Sequence, residues 1–341
     1  MAGRRILVTG GLGFIGAHLV NRLAAREDVA GVVVLDARLH QEGNISEALL
    51  GACRKLELHI GNVVDQNLTR RLAQDCELIY HLAAETHVQR SIHDPEAFVH
   101  ANVLGTLSVL EAARASGCRL VHASTSEVYG DVRGEMIDEN TRFDAYSPYA
   151  ASKLAADGLV QAYVRTYGIN ARVLRMFNVF GPGQYFEKLI PMLICSSLCG
   201  LPMPIQGDGA GTRDWSYVGD VIARLESLLT AWLPIPICNL GSGESFSVSA
   251  LVARVASLAG RADAARIAFP ERSGHVARQV ADVRATHRHF GPNRYSVDQG
   301  LARSFQWYSQ HSDVWRANFL RVRPRILAGM GEVATSAIAA A

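Results

Sequence analysis

The chain has 341 residues, 49% hydrophobic and 19% charged, with a formal net charge of +2 at pH 7. That length suits one large domain with a smaller companion, and the composition is that of an ordinary soluble globule. Near-neutral charge excludes a general attraction to nucleic acid or an anionic membrane, so any anion must be recognised locally.

In chain order, residues 5–9 read as a strand, 14–25 as a helix and 31–36 as the next strand. The apolar runs at 6–8 and 32–35 are too short to span a bilayer, and the first breaks at once into glycines, unlike a cleavable signal. A strand at 55–61, a helix near 66–74 and a strand at 78–82 follow. A long helix is expected from about 96 to 116, ended by Gly117, then a strand at 119–124. Pro148 opens a helix that runs to Gly168, a favourable place for proline, and 170–176 reads as a buried strand. This alternation is the signature of an α/β fold, a Rossmann-type doubly wound parallel sheet.

Past residue 176, Gly and Pro become dense from 181 to 211 and the alternation is lost. A helix at 218–229 and a strand at 237–240 return to the large sheet. The expected division is a dinucleotide-binding domain at 1–180 plus about 212–242, and a substrate domain at about 181–211 and 243–325. Residues 326–341 are small and apolar and are expected to fray. Cys53, Cys76, Cys118, Cys195, Cys199 and Cys238 form no paired CxxC knuckles, as expected of buried thiols in a cytoplasmic protein. Cys195 and Cys199 can share a helix face, which reads as core rather than a metal site; no metal is expected.

Two motifs carry the chemistry. Gly10, Gly13 and Gly16 lie between a strand and a helix, where glycines permit a tight turn, close approach to a pyrophosphate and helix–strand packing. The helix N-terminus offers free N–H groups to the phosphates. Asp36, twenty positions past Gly16 at the end of the second strand, suits a ribose diol and repels a 2′-phosphate, favouring NAD over NADP. Arg38 nearby argues the other way. Asn62 follows another strand and suits either the adenine edge or a plain turn.

The second motif is Tyr149 and Lys153, four residues and so about one turn apart on one helix face. A cation beside a phenol favours the phenolate, which can take a proton from a sugar or alcohol hydroxyl. Upstream stands Ser124-Thr125-Ser126-Glu127 at a strand end, where ligands meet such sheets. His81, His87, His93 and His100 suit neither a zinc helix nor a triad and read as local hydrogen-bonding groups.

With these residues the chain resembles an extended short-chain dehydrogenase/reductase of the nucleotide-sugar epimerase/dehydratase family, most similar to the dTDP-glucose 4,6-dehydratases. His81-Leu82-Ala83-Ala84-Glu85-Thr86-His87-Val88, residues 124–130, Ser147-Pro148-Tyr149 and Phe186-Glu187-Lys188-Leu189-Ile190-Pro191 follow the family pattern in order. Arg213-Asp214-Trp215, Arg272-x-Gly274-His275, Gly300-Leu301 and Trp307-Tyr308 continue it, so the likeness covers about 4–310. It implies that Phe14, Ile15, Leu82, Ala83 and Ala84 join the glycines around NAD. Tyr149 deprotonates the sugar 4-hydroxyl, Lys153 tunes it and binds the nicotinamide ribose, Thr125 bonds the same hydroxyl, and Glu127 removes the C5 proton. Asn178, Glu187, Lys188, Leu189, Arg213, Asn239 and Arg278 fall where the family grips the sugar and nucleoside diphosphate. The two arginines suit a diphosphate chemically. The helices at 96–116 and 149–167 correspond to the pair that forms a homodimer contact in that family.

One position departs. The dTDP-glucose dehydratases carry Asp where this chain has Ser126, and that acid protonates the departing 6-hydroxyl. A serine hydroxyl is a poor acid. The GDP-mannose dehydratases also read Thr-Ser-Glu and still eliminate water. The resemblance therefore implies 4,6-dehydration of an NDP-hexose through a transient 4-ketone, with 4-epimerisation as the alternative; residues 175–182 resemble the 4-epimerases. A UDP-glucuronate decarboxylase-type enzyme and a non-catalytic NAD-binding protein are weaker alternatives.

Overall fold

The computed structural model describes residues 3–39, 45–51, 53–132, 134, 136–261, 264–271 and 274–338, with no side-chain description beyond 331. Arg272 of the sequence motif lies outside the described residues. The first half runs β1 (Arg4–Thr9), α1 (Phe14–Ala24), β2 (Val29–Asp36), β3 (Leu56–Ile60), α2 (Gln66–Ala73) and β4 (Leu78–His81). Helices α3 (Val88–His93) and α4 (Pro95–Phe98) follow, and a π-helical stretch, Val99–Leu104, joins α4 to α5 (Gly105–Ser116). Then come β5 (Arg119–Thr125), α6 (Pro148–Tyr167), β6 (Ala171–Met176) and β7 (Asn178–Phe180). The second half holds α7 (Leu189–Leu198), β8 (Met203–Gln206), β9 (Thr212–Tyr217), α8 (Val218–Ser227), β10 (Ile237–Leu240) and β11 (Ser245–Ser247). It ends with α9 (Val248–Leu258), β12 (Arg266–Phe269), β13 (Arg278–Gln279), α10 (Arg284–Phe290), α11 (Val297–Gln310) and α12 (Ser312–Ile338).

Among the described residues, seven parallel strands form one sheet in the order β10-β6-β5-β4-β1-β2-β3. Both faces are covered, which is why its strands are near-continuous apolar runs. Val8, Val32, Val34 and Leu174 pack toward α1 and α8, whereas Leu7, Val33, Ile79 and Leu120 pack toward α2, α5 and α6. Chain order reverses between β1 and β4, and a crevice opens beyond the carboxyl ends of those strands.

A separate core holds Phe186, Leu251, Tyr308, Trp315 and Phe319 beneath small sheets built on β9 and β8. Strand β9 pairs with β7, β11 and β13, so the smaller sheet grows directly out of the large one. Asp214 on β9 is fully buried and accepts from the Ser242 and Gly243 amides, both at 2.8 Å, and from the Ala281 amide at 3.3 Å. Residues 326–338, read from the sequence as part of a frayed tail, are described as the continuation of a helix. Trp315, Phe319 and Val322 are buried, with Ile326 packed against the same core, and this apolar stripe seats α12, which continues to Ile338.

Candidate active site

The glycine turn forms because its geometry admits little else. Gly10 has φ of +71°, and a Cβ there would meet the Ala83 amide nitrogen at 2.6 Å. The turn thereby holds β1 against the segment after β4, and α1 begins at Gly13 with no side chain capping its first amides. Free N–H groups at a helix start attract an anion. Asp36 accepts from the Leu12 amide at 3.0 Å and the Arg38 amide at 2.8 Å, and burial raises its pKa. The Arg38 guanidinium turns to Glu47, at 2.7 and 3.1 Å, so its charge is already matched. Asn62 lines the cleft and also accepts from the Val64 amide at 3.1 Å.

The cleft has a volume of about 680 Å³. At one end lie Gly10, Gly13, Phe14, Ile15, Gly16 and Asp36, with Leu82, Ala83 and Ala84 along one side. Thr125, Glu127, Tyr149 and Lys153 line it, as do Asn178, Glu187, Lys188, Leu189 and Arg213. The glycine turn and the Asp36 carboxylate together fit a dinucleotide with a free ribose diol.

Tyr149 stands in the first turn of α6, which Ser147 caps by accepting from the Ala150 amide at 3.1 Å and Pro148 opens. It packs on Val88 and Phe98. Lys153, one turn further along the same helix, is also held by the end of β5. The Lys153 ammonium donates to the Ala123 carbonyl at 2.7 Å, and burial lowers it to about 8. Burial pushes the Tyr149 phenol up; the hydrogen bond with Thr125 opposes this, and the Glu127 charge adds to it. The phenolate therefore needs a further positive charge in the cleft.

Behind Lys153, one turn along α6, Asp157 pairs with Arg175 at 2.9 Å, both fully buried. His81 is held by the Thr9 and Thr106 hydroxyls at 2.8 and 3.1 Å and lowered to about 3, first by burial and then by the Lys153 charge. It is a neutral spacer, as its local reading expected. His87 does two things: its Nδ1 accepts from the Arg90 amide at 3.3 Å to cap α3, and its ring lines the cleft 3.7 Å from Glu187. Arg90 lies 3.5 Å from the same carboxylate, and Lys188 donates to the Thr86 carbonyl at 3.0 Å.

Three expected residues lie elsewhere. Asn239 is fully buried, accepting from the Tyr129 hydroxyl at 2.8 Å and donating to the Ile137 carbonyl at 3.0 Å, because β10 turns its side chain under the loop after β5. Arg278 does not line the cleft; its backbone amide is held by Asp131 at 3.1 Å. Ser126 is buried and donates to Gln279 at 3.3 Å, outside the cleft lining. The family motif gives a position, whereas facing depends on which neighbour accepts the side chain. Gln206, Glu271 and His275 line the cleft without having been singled out as site residues. A clue was available for one of them: His275 closes the Arg272-x-Gly274 motif.

The chain matches the family described as GDP-mannose 4,6 dehydratase over residues 7–310. It is 34% identical over 317 residues to a dTDP-glucose 4,6-dehydratase of Mycolicibacterium smegmatis, covering 92% of this chain and 95% of that one. Among solved structures, a dTDP-glucose 4,6-dehydratase of Streptomyces venezuelae with NAD bound superposes with a TM-score of 0.86 at 34% identity, covering 92% and 99% of the two chains. A UDP-glucuronic acid 4-epimerase of Bacillus cereus, in complex with UDP-glucuronic acid and NAD, gives 0.84 at 28% identity over 90% and 99%.

Proposed function

We propose a function from one premise: this chain belongs to the GDP-mannose 4,6-dehydratase family of NAD-dependent, extended short-chain dehydrogenase/reductases. It is an enzyme that modifies a nucleotide sugar through a transient 4-ketone, and the reaction is 4,6-dehydration of an NDP-hexose to the 4-keto-6-deoxy sugar. The observation that carries this reading is that Tyr149, Thr125 and Glu127 share one cleft with the glycine turn and Asp36.

Gly10, Gly13 and Asp36 would hold NAD, with Lys153 at its ribose; when bound it would supply the hydride acceptor, later the hydride donor, and in its oxidised form a positive charge near Tyr149. Tyr149 takes the proton of the sugar 4-hydroxyl, with Thr125 aligning that hydroxyl. The resulting 4-ketone acidifies C5–H by delocalising the carbanion as an enolate. Glu127 removes that proton. Ser126 faces away, so Glu127 also delivers a proton to O6, and water leaves with the C5–C6 double bond formed. Hydride added at C6 and a proton at C5 complete the product, with no net oxidant consumed. Arg213, Glu187, Lys188, Leu189 and Asn178 line the part of the cleft assigned to the sugar diphosphate.

A 4-epimerase is the second reading, favoured by Ser126 because the turn then lacks a separate acid for O6. The homodimer belongs to the same proposal: Val99, Leu104 and Tyr167 are exposed on the helical segments expected to pair. A cytoplasmic location is consistent with the six free cysteines. No helix among the described residues is long and apolar enough to cross a membrane.

The test is incubation with dTDP-glucose, GDP-mannose and a set of UDP-hexoses, reading the alkaline absorbance of a 4-keto-6-deoxy product. Proton NMR showing only an inverted C4 replaces dehydration by epimerisation. Bound NAD that no sugar nucleotide reduces removes both.

A further inference from the structure

We propose that Gln279 is a positioning residue that fixes the Ser126–Gly130 turn and thereby aims Glu127 at C5 of the sugar. The inference rests on the dehydratase reading and adds to it a residue of the substrate-side sheet. Gln279 is fully buried on β13. Its side-chain amide donates to the Ser126 carbonyl at 3.1 Å and the Gly130 carbonyl at 3.3 Å, and its oxygen accepts from the Ser126 hydroxyl at 3.3 Å. One planar group thus spans both ends of the short helical turn that carries Glu127.

The far end of the turn is also seated by Val128 and Tyr129, both fully buried, and by the Val128 carbonyl, which accepts from the Asp144 amide at 3.1 Å. Thr125 is fixed by the sheet, opposite Met176 on β6, and accepts from the Glu127 amide at 3.2 Å. Beyond it the chain leaves the ladder, and buried carbonyls without a donor are costly. Gln279 supplies that donor from β13 of the smaller sheet. The strand that carries it sits beside Arg213 on β9, in register Gln279 to Arg213. Asp131, just past the turn, ties the same strand by accepting from the Ala277 and Arg278 amides at 2.9 and 3.1 Å. Placement of the C5 base is therefore joined to the strand pair that lines the substrate side. Tyr149, on α6, is placed by its own cap, and its phenol bonds Thr125, which the sheet fixes.

This separation gives the test. Gln279→Met keeps the length and volume of the side chain and removes all three bonds. With full-length protein, dTDP-glucose and bound NAD, two signals are read in one single-turnover experiment. These are the absorbance rise of reduced nicotinamide, which reports Tyr149, and solvent-deuterium entry at C5, which reports Glu127. A base displaced by about 1 Å loses on the order of a hundredfold. Gln279→Met is accordingly expected to slow deuterium entry at least tenfold, with nicotinamide reduction within about threefold of wild type and KM little changed. Ser126→Ala leaves both carbonyls bonded and is expected to keep deuterium entry within about threefold of wild type.

Equal loss of both signals in Gln279→Met, or loss of neither, overturns the positioning role. So does a Ser126→Ala variant that loses deuterium entry while Gln279→Met retains it. Should Gln279→Met fail to fold, Gln279→Glu has the same length and is judged by the same ratio. Failure of the wild type to reduce its nicotinamide with any sugar nucleotide instead sinks the dehydratase reading, and is seen before either variant is made.

Discussion

Lys153→Met is expected to abolish turnover without destabilising the protein. The Lys153 ammonium is buried, and burial lowers it from the usual 10.5 of a lysine to about 8. Holding the charged form in the fold therefore costs about 3 kcal/mol at neutral pH. Methionine of similar length removes that cost but leaves the Ala123 carbonyl without its 2.7 Å donor, a loss of about 1–3 kcal/mol. Asp157 keeps Arg175 at 2.9 Å. The balance lies between about 0 and 2 kcal/mol in favour of the variant, or up to roughly 4 °C in melting temperature.

The sign with pH follows from proton binding. Between pH 8 and 10.5 the unfolded chain holds the Lys153 proton and the folded one releases it. Wild-type stability therefore gains through that window relative to Lys153→Met, and the variant's advantage shrinks and then reverses. The assay is thermal melting of both proteins from pH 6.5 to 10.5, stripped of cofactor because bound NAD would raise the two proteins unequally. A variant that melts more than about 3 °C below wild type at pH 7 refutes the reasoning, as does a gap that does not move between pH 7 and 10.

Other perturbations address separate parts of the cleft. Glu127→Gln should retain nicotinamide reduction on mixing with substrate but lose solvent-deuterium entry at C5 by about a hundredfold or more, measured by NMR. Asp36→Ala removes the carboxylate proposed to meet the ribose and is expected to raise KM for NAD by roughly 10- to 100-fold while changing that for NADP little. Arg175→Met strands the buried Asp157 carboxylate and should lower stability by roughly 3–5 kcal/mol in urea unfolding. A melt equal to wild type would show that Asp157 takes up a proton instead.

Much of this molecule was legible because some residues have one physical use. Gly10 cannot carry a side chain against Ala83, and Asp36 at the end of a strand lines the same cleft while it accepts from the Leu12 and Arg38 amides. The α6 start was readable from Pro148, and its end from Gly168 in the left-handed conformation. Helix α3 was missed because its cap is a histidine, His87, rather than a serine or aspartate. Ser126 and Asn239 were placed in the right segments and on the wrong side. Their orientation is decided by Gln279 and Tyr129, more than a hundred residues away in the chain. Gln279 gave no signal because a lone glutamine has no pattern. The Tyr149–Lys153 spacing gave the correct helix turn, but Ala123 takes the ammonium, a contact set by β5.

Asp214 constrains how this enzyme can be recombined. Its single carboxylate binds the amides of residues 242 and 243, just after β10 of the large sheet, and of residue 281, just after β13, while it sits on β9 of the smaller sheet. The backbone crosses between the two cores repeatedly, so no single splice site frees a substrate module. A chimera that exchanges only one crossing segment would bring in amides shaped around another protein's acceptor. Grafting a new sugar preference onto this scaffold thus requires moving residues 181–217 and 241–283 together, or leaving the backbone alone and altering side chains in place.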